Sequence, residues 1–524
     1  MAAELDQLRE RLGAIHDLSR AAQLLAWDER TMMPAAGAES RSQQLATLAK
    51  VRHEMFCDDE VGRLLDAVRG EVEGVEGDGG DSEPAIAADL VRVVSRDWEK
   101  ARRVPSELRG EMARASTIAE HAWVEAKASS DFAALLPHLS ANIDLARRFA
   151  ACYEGFPGFD SEYDALLDEY EPEMSTAQMR DLLAALRQGL VPLIDEIPAA
   201  GGGAAAATGR EAPGPGQKEA ADDVLRGEFP VEAQRTLVAE LIGRMPYPPD
   251  SWRIDPTEHP FAASVGRADV RLTTRYEPDN LGMALFSALH EAGHGLYEAG
   301  VDPALARTPL AKPRSLGLHE SQSRLWENWV GRSLPFLRWV LPRLRELFPG
   351  ALDNVDADQL HRDANRVERS LIRIEADELT YNLHILIRFE LELELFEGGL
   401  EITELPEAWN ARYRDYLGLE VPDDAHGVLQ DVHWPAGAFG YFPTYSLGNV
   451  IAGQLWEAAE RDLGDLGEPI GRGDLHPLGR WLRENVHRHG RRLSPARILE
   501  RSGCGELSIA PLLEHLRSKA AALA

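Results

Sequence analysis

The chain has 524 residues, 44% of them hydrophobic, and a formal net charge of -31. Such an acidic chain lacks the basic surface that nucleic acid or an anionic membrane requires, so both are excluded as partners. No apolar run is long enough to span a membrane, and no signal peptide is recognisable. The three cysteines, Cys57, Cys152 and Cys504, form no motif. We therefore expect a cytoplasmic protein.

Apolar residues at three- and four-residue spacing predict helices along most of the chain. The predicted helices cover residues 3–25, 38–70, 84–130, 132–152, 176–197, 230–244, 281–300, 316–347, 358–396 and 449–463. Alternating polarity predicts one strand, Asp269–Tyr276. Residues 71–84, rich in Gly, Glu and Asp, and residues 198–219, rich in Gly, Ala and Pro, predict flexible loops. Because the pattern is helical on both sides of the second loop, we predict one large, mostly α-helical domain over residues 1–524.

The segment from His290 to His294 reads H-E-A-G-H and lies within the predicted helix 281–300. Residues four apart share one face of a helix, so both imidazoles can bind one metal ion. Glu291 lies about 100° around the helix and can contact a water on the metal instead. The segment therefore predicts two ligands and a general base of a metal-dependent hydrolase.

A catalytic zinc site needs a third protein ligand and one position for water. Glu298, His319 and Glu320 follow the H-E-x-x-H segment. Glu298 lies on the same predicted helix, two turns beyond His290, which is a poor position from which to complete a tetrahedron. His319 and Glu320 begin the next predicted helix, and two histidines with one glutamate form an established ligand set of zinc peptidases. The residues alone leave the choice between His319 and Glu320 open.

The predicted helix 358–396 carries a narrow polar stripe on a largely apolar surface. Five polar residues fall within an arc of about 80°: Arg373, Asp377, Tyr381, His384 and Arg388. The apolar residues beside them indicate burial, and buried arginine and aspartate need partners. A solvated seam is the alternative, but we favour the wall of a polar cavity.

Two later stretches combine polar and aromatic residues. Gly427–Trp434 contains Gln430 and His433, and Phe439–Tyr445 contains Tyr441. A tyrosine or histidine beside a zinc site can donate a hydrogen bond to a developing oxyanion. Packing corners have the same composition, so these stretches alone do not decide the function.

Together these motifs resemble the carboxypeptidase Taq family of zinc metallocarboxypeptidases over nearly the whole chain. The segments that carry the resemblance are Trp27–Pro34, Tyr163–Pro172, His259–Phe261, Asp269–Thr273, His290–His294, His319–Gln322, Ile372–Asp377 and Gly427–Trp434. Six of them resemble signature motifs of the family and follow the family's order. The resemblance implies a mostly helical fold with a deep substrate groove. It also implies a homodimer that releases single residues from free peptide C-termini with broad preference.

The resemblance implies the metal ligands and the base by position. Glu320 matches the family's third zinc ligand, beside His290 and His294, and Glu291 matches the general base. We therefore expect one zinc ion per chain, for which cobalt can substitute. The ion would activate a water, and Glu291 would take its proton during attack on the peptide bond.

The resemblance also implies substrate-binding residues. Arg373, Gln430 and His433 match motifs of the narrow, positive end of the groove, where the C-terminal carboxylate of a peptide would bind. His259 and Arg271 match motifs near the site. Two alternative functions share the metal residues: an oligopeptidase, which would need no carboxylate-binding arginine, and a helical binding protein that performs no hydrolysis.

Overall fold

The structure is a computed structural model, and it describes residues 2–196, 223–248 and 250–523. The predicted loop at 198–219 lies outside the described residues. Across these ranges the chain forms 20 α-helices and three strands, which confirms the mostly α-helical fold class. No helix found there is both long and apolar enough to cross a membrane.

The first nine helices precede the sheet: α1 Ala2–Thr31, α2 Ala38–Cys57, α3 Asp59–Glu71, α4 Glu83–Arg103, α5 Ser106–Ser129, α6 Phe132–Ala151, α7 Glu162–Leu167, α8 Thr176–Glu196 and α9 Val231–Ile242. The strands are β1 Trp252–Pro256, β2 Ala262–Gly266 and β3 Asp269–Thr274. The remaining helices are α10 Leu281–Gly300, α11 Leu316–Arg324, α12 Leu334–Leu347, α13 Ala357–Ala364, α14 Glu378–Glu397, α15 Leu405–Leu417, α16 Pro443–Leu463, α17 Gly467–Ile470, α18 His476–Asn485, α19 Pro495–Arg501 and α20 Ala510–Leu523. A π-helix, Leu325–Gly331, follows α11 directly.

The chain divides into two compact units. Unit 1 comprises Met1–Arg102, Asp222–Ala364 and Gln454–Leu507, and unit 2 comprises Arg103–Ala221, Asn365–Gly453 and Ser508–Ala524. Both units are discontinuous in sequence, so each is completed by segments that are distant along the chain. A single domain over the whole chain stays a prediction.

Two predicted helices are interrupted by residues that begin a new helix. The predicted helix 38–70 breaks at Asp58, whose side chain accepts a hydrogen bond from the Glu60 N–H at 2.8 Å and caps α3. The predicted helix 84–130 breaks before Pro105, because a proline disfavours helical geometry in the residue that precedes it. Helical periodicity continues across both breaks, so periodicity alone does not reveal them.

The predicted helix over residues 358–396 is wrong in its middle part. Asp377 is the N-cap of α14, since its side chain accepts hydrogen bonds from two N–H groups of the first turn. Arg373 lies before this cap, in a short 3₁₀ turn. Only the last three residues of the predicted stripe lie on the helix: Tyr381, His384 and Arg388.

The predicted strand at residues 269–276 is confirmed as β3, which is the central strand of a small sheet. β1 pairs with β3 in parallel, and β2 pairs with it antiparallel, with an irregular register between Ser264 and Gly266. β1 and β2 are not apparent from the sequence, because five residues are too few to establish an alternating pattern.

The acidic, glycine-rich segment at 71–84 is irregular between α3 and α4, and part of it is bonded to other segments of unit 1. Asp89 is fully buried and accepts a hydrogen bond from the Gly79 N–H at 3.2 Å. Arg492 donates to the same carboxylate at 2.9 Å and to the carbonyl oxygen of Gly80. A buried ion pair therefore fixes one side of this segment.

Two glycines allow α10 to lie at the centre of unit 1. A Cβ at Gly295 would collide with side chains of β3. A Cβ at Gly293 would lie 2.5 Å from the carbonyl oxygen of Gln322 and 2.7 Å from the Cα of Ser323. The backbone of α10 therefore packs closely against the sheet at one position and against the backbone of α11 at the other.

Gly293→Ala tests the close approach of α10 and α11. We expect it to lower the free energy of unfolding by about 1–3 kcal/mol, because the added methyl group overpacks a backbone contact. Gly282→Ala is the matched control on the same helix, since its Cβ would have no neighbour nearer than 3.5 Å. Alanine is intrinsically favoured there by about 1 kcal/mol. Urea unfolding measures both variants, and equal stabilities would contradict the close approach.

Candidate metal centre

Three side chains of unit 1 bring possible metal ligands together. His290 Nε2 lies 3.7 Å and His294 Nε2 lies 3.5 Å from Glu320 Oε2. The edges of a tetrahedron around a zinc-sized ion are about 3.4 Å long, given metal–ligand bonds near 2.1 Å. His290, His294 and Glu320 therefore have the spacing to hold one such ion. Among the described residues they form the one group of this kind.

The packing of α10 against α11 explains why Glu320 joins the two histidines. His290 and His294 lie one turn apart on α10, and Gly293 between them contacts α11. Glu320 lies on α11 and is 7% exposed. The His319 side chain lies nearer to Glu298, because its Nε2 is 4.0 Å from Glu298 Oε1, and its ring makes a tilted contact with His294 at 4.2 Å between the ring centroids. The geometry thus favours Glu320 over His319 as the third ligand.

Glu291 lies between the two histidines in sequence and is 6% exposed. Its Oε2 atom is buried, and no hydrogen-bond donor of the described residues reaches it. Burial raises the pKa of the Glu291 carboxyl above its ordinary value. A buried carboxylate oxygen without a protein donor can accept a proton from a bound water or substrate.

Two charged residues that were not identified from the sequence, Glu327 and Arg324, form hydrogen bonds with the metal-ligand side chains. His290 Nδ1 lies 2.9 Å from Glu327 Oε2. Arg324 donates to Glu320 Oε1 at 2.7 Å and to Glu327 Oε2 at 3.3 Å. Bonding at Nδ1 fixes the tautomer of His290 and leaves Nε2 free for a metal. Glu327 and Arg324 follow Glu320 at i+7 and i+4 of the predicted helix 316–347, a spacing that could have identified them.

The charges around the ligand group keep two carboxylates ionised. Burial opposes ionisation of Glu320, but Arg324 and the histidines outweigh burial and hold the pKa of Glu320 well below its usual range. Burial likewise opposes ionisation of Glu327. The hydrogen bond with His290 and the charge of Arg324 lower the pKa of Glu327 to about 2. Both groups are therefore anionic at neutral pH, as a ligand and a hydrogen-bond acceptor need to be.

In unit 2, Asp431 is buried between two arginines. Arg373 donates to Asp431 Oδ1 from Nε at 2.9 Å and from Nη2 at 2.8 Å, and Arg388 donates to Oδ2 at 2.6 Å. Gln430 Oε1 accepts hydrogen bonds from Arg388 at 2.8 Å and from the backbone N–H of Arg373 at 3.0 Å. The structure thus brings Arg373 and Gln430 together. Two guanidinium groups against one carboxylate leave an excess positive charge.

His433 and Tyr441 are also neighbours within unit 2. Their rings lie 5.3 Å apart, and the His433 ring packs 4.4 Å from that of Phe442. His433 Nε2 lies 3.4 Å from the Tyr445 hydroxyl. Burial lowers the pKa of His433 to about 4, so its imidazole is neutral at neutral pH. A neutral histidine beside two tyrosines can donate a hydrogen bond to a substrate oxygen.

His259 and Arg271, two further predicted site residues, lie in unit 1 outside the ligand group. His259 is exposed between β1 and β2. Arg271 on β3 pairs with Asp269, and its guanidinium lies 4.7 Å from the ring centroid of Trp27. Neither belongs to the cluster of metal-binding atoms found in the described ranges. Arg271 therefore contacts Trp27 of α1, and His259 lies outside the ligand group.

A helix with the H-E-x-x-H pattern, a glutamate from the following helix and a buried carboxylate between the histidines is the arrangement of a metal-dependent peptidase. The family model described as carboxypeptidase Taq (M32) metallopeptidase matches residues 7–520. The chain belongs to this family, which confirms the resemblance seen in the sequence. It is therefore a metallocarboxypeptidase, a hydrolase that acts on peptides and depends on a divalent metal.

Relatives of known name and structure resemble the chain over nearly its full length. Thermostable carboxypeptidase 1 of Thermus thermophilus is 42% identical over 507 residues, 95% of each chain. Carboxypeptidase 1 of Bacillus subtilis is 35% identical over 508 residues, 97% of this chain and 96% of the relative. The crystal structure of the M32 carboxypeptidase from Deinococcus radiodurans has a TM-score of 0.90 at 39% identity and covers 99% of both chains.

Glu327→Gln tests the support of His290. We expect the affinity for zinc to fall about 10- to 100-fold, because the histidine loses the carboxylate that orients its ring. Competition with a chromogenic chelator measures this affinity independently of activity. The control is Glu346→Gln, a glutamate whose side chain is 67% exposed on α12. An unchanged zinc affinity of Glu327→Gln would show that Glu327 does not support the ligand.

Proposed function

We propose that the enzyme is a zinc-dependent carboxypeptidase that releases single amino acids from the free C-terminus of peptides with broad preference. The observation that carries this proposal is the spacing of His290, His294 and Glu320, which suits a tetrahedral zinc ion. Family membership supports the carboxypeptidase reaction. One zinc ion per chain, replaceable by cobalt, completes the proposal for the metal.

Glu291 is proposed as the general base. A zinc ion held by His290, His294 and Glu320 would supply a Lewis acid, which would make a water more acidic and polarise a carbonyl. Glu291 then takes the proton from the attacking water and later delivers it to the leaving amine. Its buried, unbonded Oε2 supports this role. His433 or Tyr441 is proposed to donate a hydrogen bond to the oxyanion that develops on the substrate.

Arg373 is proposed to recognise the C-terminal carboxylate of the peptide. The Arg373 side chain is 8% exposed. Arg373 and Arg388 both contact Asp431, whose single negative charge neutralises only one of them. The remaining positive charge is available to a carboxylate from the substrate. Nε and Nη2 of Arg373 bond Asp431, and Nη1 donates to the Tyr381 hydroxyl at 3.2 Å, so the substrate would bind the remaining hydrogens of Nη1 and Nη2.

Four broader proposals rest on the sequence and the family. Residues 1–524 are proposed to act as one metallocarboxypeptidase domain, and the resemblance supports a homodimer. The sparse cysteines, which form no motif, support a reducing compartment and hence the cytoplasm. Peptides with a free C-terminus are the proposed substrates, whereas nucleic acid and membranes are not proposed as partners, since the net charge is -31.

Two matched peptides, one with a free C-terminus and one amidated, test the function. We expect stepwise loss of residues from the free end only, no cleavage after chelation, and recovery after zinc is added. The Arg373→Ala variant should lose most of the preference for the free acid, because it removes the charge that recognises the carboxylate. Mass spectrometry of the products measures all of these. Internal cleavage of both peptides would instead identify an oligopeptidase, and bound zinc without cleavage would identify a binding protein.

Glu291→Gln tests the general base. The variant should bind zinc normally but lose about 10²- to 10⁴-fold in kcat, because the amide cannot accept the proton of the attacking water. Metal content and initial rates on one peptide measure the two properties. Glu298→Gln on the same helix is the control, and we expect a far smaller loss. Normal turnover by Glu291→Gln would exclude Glu291 as the base.

A further inference from the structure

Glu392 on α14 is a buried carboxyl group in unit 2 whose bonding partners are neutral. Its residue is 0% exposed. It accepts hydrogen bonds from the Tyr163 hydroxyl at 2.6 Å, the Trp434 indole N–H at 2.7 Å and the Gly440 backbone N–H at 2.8 Å. Tyr163 and Trp434 are buried as well. The short distances are those of strong, charge-assisted hydrogen bonds.

A buried carboxylate bonded only by neutral groups is costly to keep. Burial raises the pKa of Glu392 to about 7, which reflects the cost of its charge. Apolar groups of the same shape in place of both the carboxylate and its side-chain donors can be nearly as stable. A glutamate here therefore needs a reason other than the stability of the core.

The two oxygens of Glu392 bond two segments that carry proposed substrate-binding residues. Oε1 bonds Trp434, which directly follows His433, and Oε2 bonds Gly440, which directly precedes Tyr441. Gly440 has a φ of +84°, and a Cβ there would lie 2.7 Å from the backbone of Leu166. The backbone conformation of Gly440 is therefore restricted, which gives its N–H a defined direction for the hydrogen bond to Glu392.

We propose that Glu392 is a positioning residue that holds His433 and Tyr441 in their active arrangement, by fixing the neighbours of both through one carboxylate. This inference rests on the proposed roles of His433 and Tyr441 as hydrogen-bond donors to the substrate. Glu392 is bonded to neither of them directly. It acts through Trp434 and Gly440 and sets the 5.3 Å separation of the two rings.

Glu392→Gln is the first test. An amide offers one acceptor oxygen, so its NH₂ group must face either the Trp434 N–H or the Gly440 N–H, and one segment loses its anchor. We expect kcat to fall at least about tenfold with KM changed less than about twofold, because the oxyanion bond forms only in the transition state. Zinc content should stay normal. The indole ¹⁵N–¹H resonance of Trp434, assigned with Trp434→Phe, should shift.

Tyr163→Phe is the matched control. It removes one of the three donors to Glu392 but leaves the bonds to Trp434 and Gly440 in place. We expect kcat within about twofold of the wild type, because neither segment loses its anchor. A loss as large as that of Glu392→Gln would indicate a general effect of the buried network and would overturn the positioning role.

Glu392→Gln in a background of His433→Ala and Tyr441→Phe separates a positioning role from a packing role. If Glu392 acts through those residues, Glu392→Gln causes no further loss of kcat there. An equal further loss in this background, or wild-type kcat for Glu392→Gln alone, would overturn the proposal. Should Glu392→Gln not fold, Trp434→Phe tests the same bond from the other side, and wild-type kcat would again overturn it.

Different results would overturn the proposed donors and the proposed role of Glu392. If the background of His433→Ala and Tyr441→Phe keeps wild-type kcat, the proposed donors are wrong, and the positioning role is overturned with them. If that background loses kcat whereas Glu392→Gln does not, the donors stand and only the role of Glu392 is wrong. If chelation of the metal stops hydrolysis in every variant, the metal-dependent reaction stands whichever of these two results is obtained.

Discussion

The metal centre depends on one backbone contact, the approach of α10 to α11 at Gly293. The contact brings three possible ligands together. The Nε2 atoms of His290 and His294 lie 3.7 Å and 3.5 Å from Glu320 Oε2. These spacings leave little room for adjustment, because metal–ligand bonds vary by only a few tenths of an ångström. Gly293 is therefore as necessary to the site as the ligands, although it offers no side chain to a metal ion.

Three buried glutamates around this contact differ in charge behaviour because their neighbours differ. Arg324 and the histidines favour the anion at Glu320, and the bond with His290 favours it at Glu327. Glu291 has no such donor at Oε2, and burial raises its pKa. The same side chain thus serves as ligand, support and proposed base, and the charged and hydrogen-bonding neighbours of each carboxyl decide its charge.

The sequence predicts those features that depend on local pattern. Periodicity identifies α10, and the H-E-x-x-H spacing places His290 and His294 on one face. The choice between His319 and Glu320 depends on how α11 is rotated against α10, which local pattern does not contain. The 3₁₀ turn at Arg373 was missed because the apolar spacing continues through it, although the Asp377 cap was visible. Glu392 was missed because its three donors come from distant parts of the chain.

The π-helix Leu325–Gly331 places a constraint on chain length rather than on residue type. Its wider turn is closed by the bond from the Arg332 N–H to the Glu327 carbonyl, five residues back. Arg332 also reaches the Glu327 side chain at 3.2 Å. Deleting one residue between Glu327 and Arg332 would replace this bond by the i+4 bond of an α-helix and would change where the Arg332 guanidinium lies relative to the Glu327 carboxylate. Natural insertions and deletions should therefore be excluded from this short segment even where its residues vary.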